Sequence, residues 1–421
     1  MDKIFVTERP YHILLVSNYF APDSGAAAVR LTRLARTLRQ IGHHVTVLTS
    51  LPHYPQGQIH DAYRKKLIVV EERDGIRVIQ TWLWATPSSK ISRKLISQLS
   101  FMFTALIRGL FLKRPNVILI EAQPIFTGLA GMLLAFWLRC PYVLNVSDLW
   151  PDHLLSVGAL KEESFIYRVA RKTVNLLYRR AAAIIAMSPA WAERIAQHIG
   201  SYTQLHVIYN GVDLDRFRPN LDTTLFRERY NIPKNQKVIA FVGTFATQYD
   251  FELMLNAAKM IQHPDVYILF VGKGSQADLV RQHLASPEFQ HVHWIEWLSH
   301  DEMPLLWNSL YLTFWAMREH ELYSGTIPAK LYEAMSCGVP MIAYGSGISA
   351  DILQMSQSGI VLNSGGYEAL ANTILKLLDQ VDQRQLLSQN ARRYAEEHYD
   401  HEQVAQRYLS VLASVVEQKR S

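Results

Sequence analysis

The chain alternates short, almost wholly apolar segments with segments of helical periodicity, and it does so twice. The apolar runs of the first half lie at 11–20, 44–49, 116–121 and 142–146. Leu31, Leu34, Leu38 and Ile41 recur there on one helical face, and Gly42 follows as a helix end. In the second half, runs at 237–244 and 266–272 flank an amphipathic segment at 251–261. Apolar strands that alternate with helices are typical of parallel sheets, so the sequence predicts two doubly wound α/β halves.

Length and turn signals predict where these halves begin and end. A chain of 421 residues with 49% hydrophobic residues can bury two substantial cores. The segment 210–219 is rich in turn residues and ends in proline, and a charged stretch follows to 236. We therefore expect an N-terminal domain at 1–210, an interdomain crossing at 211–236 and a C-terminal domain at 237–398. Further helices are predicted at 367–378 and at about 383–418.

The segment 326–340 combines a helix start with a cation and a carboxylate. Pro328 is suited to the first helical position and Gly338 to the residue just past the helix end. Lys330 then lies in the first turn, where the helix dipole disfavours a cation unless an anion is bound. Glu333 shares its face. Two interpretations remain: the pair binds the phosphates and the vicinal diol of a nucleoside diphosphate, or it is an ordinary surface ion pair.

Charge and cysteine content limit the class of partner. A net charge of +6 and a pI near 9.1 favour anionic partners. Nucleic acid is excluded from our expectations because the chain has no zinc-finger spacing, no RNP-like aromatic pattern and no dense basic arm. Cys140 and Cys337 have no metal or redox spacing, so we expect two packing residues in a reducing compartment. The N-terminus carries acidic residues and is not typical of a secretory signal, which predicts a cytoplasmic protein.

Two apolar helical segments bear on membrane contact. The segment 125–138 is shorter than a membrane span and is predicted to be a buried core helix. The segment 95–112 has a broad apolar face and basic flanks. Its predicted polar stripe is formed by Ser97, Ser100, Thr104 and Arg108, and its flanks by Lys90, Arg93, Lys94, Lys113 and Arg114. Such a helix either lies in the interface of an anionic membrane or packs on a sheet with basic ends.

An ordered set of motifs carries a family resemblance. The run KLYEAMSCGVPMI at 330–342 is preceded by NYFAPDSG at 18–25, GHHVTVLT at 42–49, PHYPQG at 52–57, DLWP at 148–151 and YNGVDLDRFRP at 209–219. In this order the motifs resemble those of the retaining GT-B-fold glycosyltransferases, a family that includes many bacterial polysaccharide enzymes. The Tyr-Pro-x-Gly and Asp-Leu-Trp-Pro elements most resemble the subgroup that adds amino or deoxy sugars, such as the fucosamine-type transferases.

The resemblance implies a fold, a donor site and one catalytic carboxylate. The fold is α/β, with two Rossmann-like domains facing each other across a cleft and a last helix, from about Tyr399, that crosses back to the first domain. Asp148, at a strand end, is expected to act as a base toward the acceptor or to orient it, with a structural cap as the alternative. Donor binding is assigned to Ser24, Gly25, Gly243, Thr244, Lys273, Trp297, Lys330 and Glu333.

Several of these assignments have structural alternatives. Ser24 and Gly25 either allow the backbone to approach the donor or form a tight turn. Trp297 either contacts the nucleobase or packs in the core.

The chain also departs from the family pattern. Many relatives carry an arginine at the position of Thr244 and a lysine at that of Tyr249, both on the diphosphate. Either Lys330 and Lys273 neutralise more of its charge, or the phosphate site is weaker or differently shaped. The first glutamate of a family pair falls at about Gly325. The polar loop 318–324 before it either supplies donor-sugar contacts instead or is a solvated loop. Ser147 stands where many members have a histidine that contacts the donor sugar.

Two groups look like metal sites and are not predicted to be. Asp213 and Asp215 resemble the Asp-x-Asp metal site of another transferase fold, but they follow an Asn-Gly turn and are expected to cap local N–H groups. His291 and His293 share a strand face without a third ligand. We expect no metal and no cofactor besides the nucleotide-sugar co-substrate.

The implied reaction is metal-independent sugar transfer from a nucleoside diphosphate donor with retention of the anomeric configuration. A helix N-terminus and Lys330 would stabilise the leaving diphosphate. The expected acceptor is a lipid-linked or growing surface glycan, with the protein on the inner face of the cytoplasmic membrane. Two other functions remain open: a sugar-nucleotide 2-epimerase of the same fold, and a non-catalytic sugar-nucleotide-binding or assembly protein.

Overall fold

The computed structural model describes residues 9–88, 90–156, 160–201, 204–319, 325 and 327–419. The chain divides into two compact units. The first comprises Met1–Tyr209 together with His401–Ser421, and the second comprises Asn210–Asp400.

The first unit is built on an eight-stranded sheet with the order β3-β4-β2-β1-β5-β6-β7-β8. All neighbouring strands are parallel except the β3–β4 pair. The strands are β1 (His12–Val16), β2 (His44–Ser50), β3 (Ile68–Arg73), β4 (Ile76–Thr81), β5 (Val117–Glu121), β6 (Tyr142–Val146), β7 (Ala183–Ala186) and β8 (Leu205–Val207). The helices between them are α1 (Ala26–Gln40), α2 (Ile91–Gly109), α3 (Ile125–Trp137), α4 (Asp152–Ser156), α5 (Phe165–Arg180) and α6 (Pro189–Ile199). The strand order reverses between β1 and β5, where open α/β sheets form ligand crevices at their carboxyl ends.

The second unit has a six-stranded, wholly parallel sheet with the order β11-β10-β9-β12-β13-β14. Its strands are β9 (Lys237–Val242), β10 (Val266–Val271), β11 (Val292–Ile295), β12 (Leu310–Ala316), β13 (Met341–Tyr344) and β14 (Gly359–Leu362). Its helices are α7 (Thr224–Arg229), α8 (Phe251–Met260), α9 (Ala277–Leu284), α10 (Met303–Ser309), α11 (Ala329–Ser336), α12 (Ile348–Ser356), α13 (Gly366–Asp379) and α14 (Val381–His398). Here the switch point lies between β9 and β12. Single turns of 3₁₀-helix occur in the two units at Asp61–Tyr63 and Pro287–Phe289.

The closing helix, α15 (His401–Gln418), belongs to the first unit. Leu409 and Leu412 of α15 are buried, and the Tyr408 hydroxyl donates to Asn145 Oδ1 of β6 at 2.8 Å. The prediction of a single helix at about 383–418 is therefore wrong. The segment forms two helices, α14 and α15, with a break at Tyr399 and Asp400.

Two helical layers cover the two faces of the first sheet. Leu14 and Val16 of β1 pack into the core that α2, α3 and α5 close. Ile13 and Leu15, which alternate with them, pack into the core that α1 and α15 close. The predicted alternation of parallel strands and helices is confirmed. Ile41 is an exception, because it follows the end of α1 and is exposed.

The sequence left open which face of α2 meets the sheet, and the structure shows that the helix packs on the sheet, as one of the two alternatives predicted. Ser97 is buried, and the other two hydroxyls of the predicted polar stripe also bond to the protein. Trp84 N donates to Ser100 Oγ at 2.8 Å, and Thr104 Oγ1 donates to the Trp82 carbonyl oxygen at 2.6 Å. The hydroxyl side chains of the stripe therefore face the protein, because the loop backbone bonds to them. Apolar side chains of α2 face outward instead.

The prediction that 125–138 is a wholly buried helix is also wrong for one face. Within α3, Leu134 is fully buried, but Phe136 is 85% exposed and Trp137 is 61% exposed. None of the helices in the described part of the chain combines the length and the apolarity that a transmembrane span requires.

Candidate functional site

The carboxyl edge of the second sheet is shaped by interlocking glycines. After β9 and β10 the chain passes through Gly243 and Gly272, both at φ +141°. A Cβ on Gly272 would lie 1.9 Å from the Gly243 carbonyl oxygen, and one on Gly274 would lie 2.4 Å from that of Phe245. Only glycine allows this close backbone approach. Thr244 and Lys273, in the same two loops, are exposed.

Helix α11 brings a lysine to this edge. Pro328 is its N-cap rather than its first helical residue, so that detail of the prediction is wrong, whereas Gly338 at φ +67° lies just past the end as predicted. Lys330 is the second helical residue. A Cβ on Gly243 would lie 3.4 Å from Lys330 Nζ, so the lysine lies directly against the loop after β9.

The amino group of Lys330 is buried among aromatic rings. Its Nζ lies 4.1 Å from the ring centroid of Phe241, 4.2 Å from that of Tyr249 and 5.6 Å from that of Trp315. It has no hydrogen-bond partner among the described residues. Burial lowers the pKa of Lys330 well below its usual value, although ring faces favour a cation. The interpretation of Lys330 and Glu333 as a surface ion pair is therefore wrong.

Glu333 lies about one turn after Lys330 on the same helix. Its Oε2 accepts a hydrogen bond of 3.0 Å from Nε1 of Trp307, a fully buried residue of α10, and the glutamate itself is partly exposed. Trp307 was missed by the sequence analysis, since nothing in the sequence indicates that it contacts Glu333.

Two tryptophans near the end of β11 behave differently. Trp294 donates to the Gly272 carbonyl oxygen at 2.8 Å and stacks on Phe245, with ring centroids 5.7 Å apart. Trp297, in the loop that follows, is 63% exposed. Trp294 thus packs against the Phe245 ring, and the core-packing alternative for Trp297 is wrong.

In the first unit, Ser24 and Gly25 lie at the carboxyl edge between β1 and α1. Ser24 is exposed, and Gly25 caps α1 at φ −72°, a conformation open to any residue. What restricts Gly25 is space, because a Cβ would lie 3.0 Å from Cε1 of Tyr54. Buried Asp23 fixes this contact, since its Oδ1 accepts from the backbone N–H groups of His53 and Tyr54, each at 2.8 Å. The sequence analysis missed Asp23; its only signal was an acid beside the Ser-Gly pair.

Asp148 follows β6 and is partly exposed. Its Oδ1 accepts from the backbone N–H of Leu149 at 3.0 Å, and its carbonyl oxygen accepts from Gln123 Nε2. A local capping contact is therefore present at the strand end.

Beneath Asp148 lies a buried polar network centred on Glu121, which is 1% exposed. Glu121 Oε2 pairs with Arg30 at 2.9 Å and accepts from Asn145 Nδ2 at 2.6 Å, and Ser147 Oγ donates to Oε1. Ser147, which stands at a position where family members have histidine, is thus turned into the protein. The sequence analysis missed this network.

The remaining sequence predictions concern metals and cysteines. Asp213 Oδ1 accepts from the backbone N–H of Arg216 at 3.1 Å, which confirms local capping. His293 stacks on Tyr267 with centroids 4.1 Å apart, and no cluster of three metal-ligating side chains occurs in the described segments. Both cysteines are buried and unpaired, and burial raises the pKa of Cys140 to about 11 and that of Cys337 to about 12, which confirms inert packing residues.

One predicted region cannot be compared. Within the polar loop assigned to donor-sugar contacts, 320–324 lies outside the described residues, as does Thr326. Gly325 between them is buried.

Comparisons with known proteins show what the chain is similar to. Residues 222–394 match the family model of glycosyl transferases group 1, and residues 25–211 match that of the glycosyl transferase 4-like domain. The probable glycosyltransferase WbjE of Pseudomonas aeruginosa is 23% identical to this chain, over 72% of this chain and 76% of the WbjE chain.

Solved structures show the same fold. Anabaena HepE in complex with UDP-glucose has a TM-score of 0.69 at 20% identity, over 96% of this chain and 100% of HepE. WaaG, a glycosyltransferase involved in lipopolysaccharide biosynthesis, has a TM-score of 0.63 at 15% identity, over 94% of this chain and 98% of its own. At these identities the likeness shows the GT-B fold, with its two Rossmann-like sheets.

Proposed function

Because the chain belongs to the group 1 family of GT-B glycosyltransferases, we propose that it is a retaining, metal-independent hexosyltransferase. It moves a sugar, of the amino or deoxy class that the motif resemblance indicates, from a nucleoside diphosphate to a lipid-linked or growing surface glycan. HepE binds UDP-glucose and WaaG is involved in lipopolysaccharide biosynthesis, which supports a nucleotide-sugar donor and a surface-glycan acceptor.

The observation that carries the proposal is the unpartnered amino group of Lys330. It is buried at the switch point of the second sheet, beside Phe241 of β9 and Trp315 of β12. A buried cation without a counterion is costly, and a diphosphate at the N-terminus of α11 would supply that counterion. Negative charge grows on the diphosphate as the glycosidic bond breaks, so Lys330 would stabilise the transition state more than the ground state.

The other donor residues would surround this cation. Thr244 and Lys273 are exposed in the glycine loops and would contact the phosphates, and Glu333 would accept from the vicinal diol. Trp297 offers an exposed ring for the nucleobase. The basic residues that relatives carry at positions 244 and 249 are absent, and Lys330 lies against the Tyr249 ring instead.

The first unit would contribute the remaining groups. Ser24 and Gly25 would approach the donor from the exposed start of α1. Asp148 would act as a base toward the acceptor hydroxyl or orient it. Contact with the inner face of the cytoplasmic membrane would occur through 95–112, where Phe103 and Ile107 are exposed.

Calorimetric titration of UDP, GDP, dTDP and ADP, with and without magnesium, tests the donor site. We expect one nucleotide to bind without metal. Glu333→Gln keeps an oxygen that accepts from the Trp307 N–H, so the fold should stay intact while most of the nucleotide affinity is lost. The control Glu368→Gln, at an exposed position of α13, should bind nucleotide as the wild type does. Failure of every nucleotide to bind, or an indifferent Glu333→Gln, would instead favour a non-catalytic role.

Transfer itself is tested by product analysis with the nucleotide sugar that binds. NMR of the product should show the anomeric configuration of the donor. An inverted product would refute the retaining mechanism, and a 2-epimer formed without acceptor would identify an epimerase.

A further inference from the structure

The outward faces of the two helical layers on the first sheet differ in apolar character. In the described part of α1 and α15, no large apolar side chain is exposed. The other layer, which we call the apolar layer (α2, α3 and α5), exposes many. They include Phe103, Ile107, Phe136, Trp137 and Val169, with Phe111 just after α2. Contiguous apolar surface of this kind marks an interaction site, whereas isolated apolar residues do not.

The exposed side chains of α2 and α3 form one surface. The helices touch at Gly109, where a Cβ would lie 2.4 Å from Cδ2 of Leu134. Their C-terminal ends are also joined, because Arg114 Nη2 donates to the Arg139 carbonyl oxygen at 2.8 Å. Phe111, which is 77% exposed, follows α2, and Phe136, which is 85% exposed, lies near the end of α3.

The apolar layer is also strongly basic. Its three helices contain eight Lys and Arg residues and no Asp or Glu, so their combined charge exceeds the +6 of the whole chain. One of the eight, Arg171, pairs with Asp152. Beside Phe136, Arg114 and Lys419 both donate to the Arg139 carbonyl oxygen, at 2.8 and 2.7 Å. We call Arg114, Arg139 and Lys419 the basic cluster.

The basic cluster has no acidic partner among the described residues, and its like charges repel one another. A partner surface that carries negative charge would neutralise the basic cluster. If it also offers an apolar medium, it would bury the adjoining aromatic side chains. An anionic bilayer does so, with Trp and Phe at the headgroup level and Lys and Arg on the lipid phosphates.

We propose that the apolar layer, anchored by Phe136 and Trp137 and oriented by the basic cluster, is a docking surface for an anionic lipid bilayer. This inference rests on the membrane contact within the proposed function. It moves the anchor from α2 alone to the joined ends of α2 and α3.

Flotation with phosphatidylcholine vesicles, with and without phosphatidylglycerol, tests the proposal. The wild-type chain should float with the anionic vesicles. The double variant Phe136→Ser/Trp137→Ser should lose about tenfold or more of that binding. The control Leu225→Ser/Leu386→Ser removes two exposed apolar side chains from the second unit, 79% and 56% exposed, and should float as the wild type does.

A second pair of variants tests the charges. Arg114→Gln/Lys419→Gln should lose several-fold of the preference for phosphatidylglycerol and of the salt dependence. Lys65→Gln/Lys376→Gln removes the same charge from exposed positions elsewhere and should keep both. Thermal unfolding checks that each variant is folded.

Three results would overturn the proposal: no binding to either vesicle, equal binding of wild type and Phe136→Ser/Trp137→Ser, or a dimer in sedimentation that this variant alone converts to monomer. The last would show that a second copy covers the layer. Nucleotide titration of the same variants separates this failure from failure of the donor site, because none of the substituted residues lies at the carboxyl edge of the second sheet.

Discussion

A charged side chain lies near the switch point at the carboxyl edge of each sheet, and the surroundings of the two side chains differ. In the first sheet, Glu121 is buried and is bonded to Arg30, Asn145 and Ser147. In the second, Lys330 is buried against three rings and bonds to no described residue. Burial is common to both groups and therefore does not distinguish a structural group from a binding group. The two groups are distinguished by whether the protein satisfies their hydrogen bonds.

The largest effect should follow from breaking the satisfied network. Glu121→Ala leaves the Arg30 guanidinium buried without its partner, and we expect the free energy of unfolding to fall by about 3–5 kcal/mol. Asp74→Asn removes the exposed charge that pairs with Arg36, which lies on α1 as Arg30 does, and keeps a residue suited to the φ of +53° at this position. It should cost less than about 1 kcal/mol. Urea denaturation followed by circular dichroism measures both. Equal costs for the two variants would contradict the assignment of Glu121 to the fold.

The converse is expected when the unsatisfied cation is removed. Lys330→Met fits an apolar side chain between the three rings, so the Tm should stay the same or rise. Nucleotide affinity should fall about 10- to 100-fold, the value of a charge-assisted contact. Calorimetry measures the nucleotide affinity and thermal unfolding measures the Tm. The control is Lys376→Met, at an exposed position of α13. A Lys330→Met protein that is less stable but binds normally would show that the lysine is structural.

The glycines at the two edges should respond unequally. Gly243→Ala forces a Cβ into a backbone at φ +141° and against the Lys330 side chain, so we expect a loss of about 1–3 kcal/mol in stability together with weaker nucleotide binding. Gly25→Ala requires only a small shift of the Tyr54 ring and should cost less than about 1 kcal/mol. Thermal unfolding with calorimetry measures both, and the opposite order would contradict the backbone argument.

The smallest effect is a dependence on pH. Burial lowers the pKa of Lys330, so between that pKa and the usual value of 10.5 the unfolded chain binds more protons and the free energy of unfolding rises with pH. A bound diphosphate raises the pKa again, so nucleotide binding takes up a proton and weakens with rising pH, by at most about tenfold per unit.

Calorimetry above about pH 7.5, where the nucleotide phosphates are fully ionised, should show this uptake as a binding heat that depends on the ionisation enthalpy of the buffer. Lys330→Met should show no such dependence. Identical heats for the wild type in two buffers would mean that Lys330 is protonated before the nucleotide arrives.

The sequence was sufficient for the features that local patterns determine. Apolar runs predicted the parallel strands, and Pro328 with Gly338 predicted α11 to within one residue. The surroundings of Lys330 could not be predicted, because Trp315 is far along the chain from Phe241 and Tyr249 and meets them only when β9 and β12 pair.

The orientation of α2 shows a second limit. Periodicity separated its polar stripe from its apolar face, but either could face the sheet. The outcome was decided by the loop after β4, which bonds Ser100 and Thr104. The Glu121 network was missed for the same reason, since its members come from α1, β5 and β6 and the segment after β6.

Helix α15 has a consequence for the order in which the molecule is made. The second unit is continuous in the chain, whereas one face of the first sheet lacks one of the two helices that close its core until α15 is synthesised. On the ribosome, the unit that emerges first is therefore the one that can be completed last. Loss of α15 would spare the six-stranded sheet and remove Leu409 and Leu412 from the core that they share with strands of the first sheet.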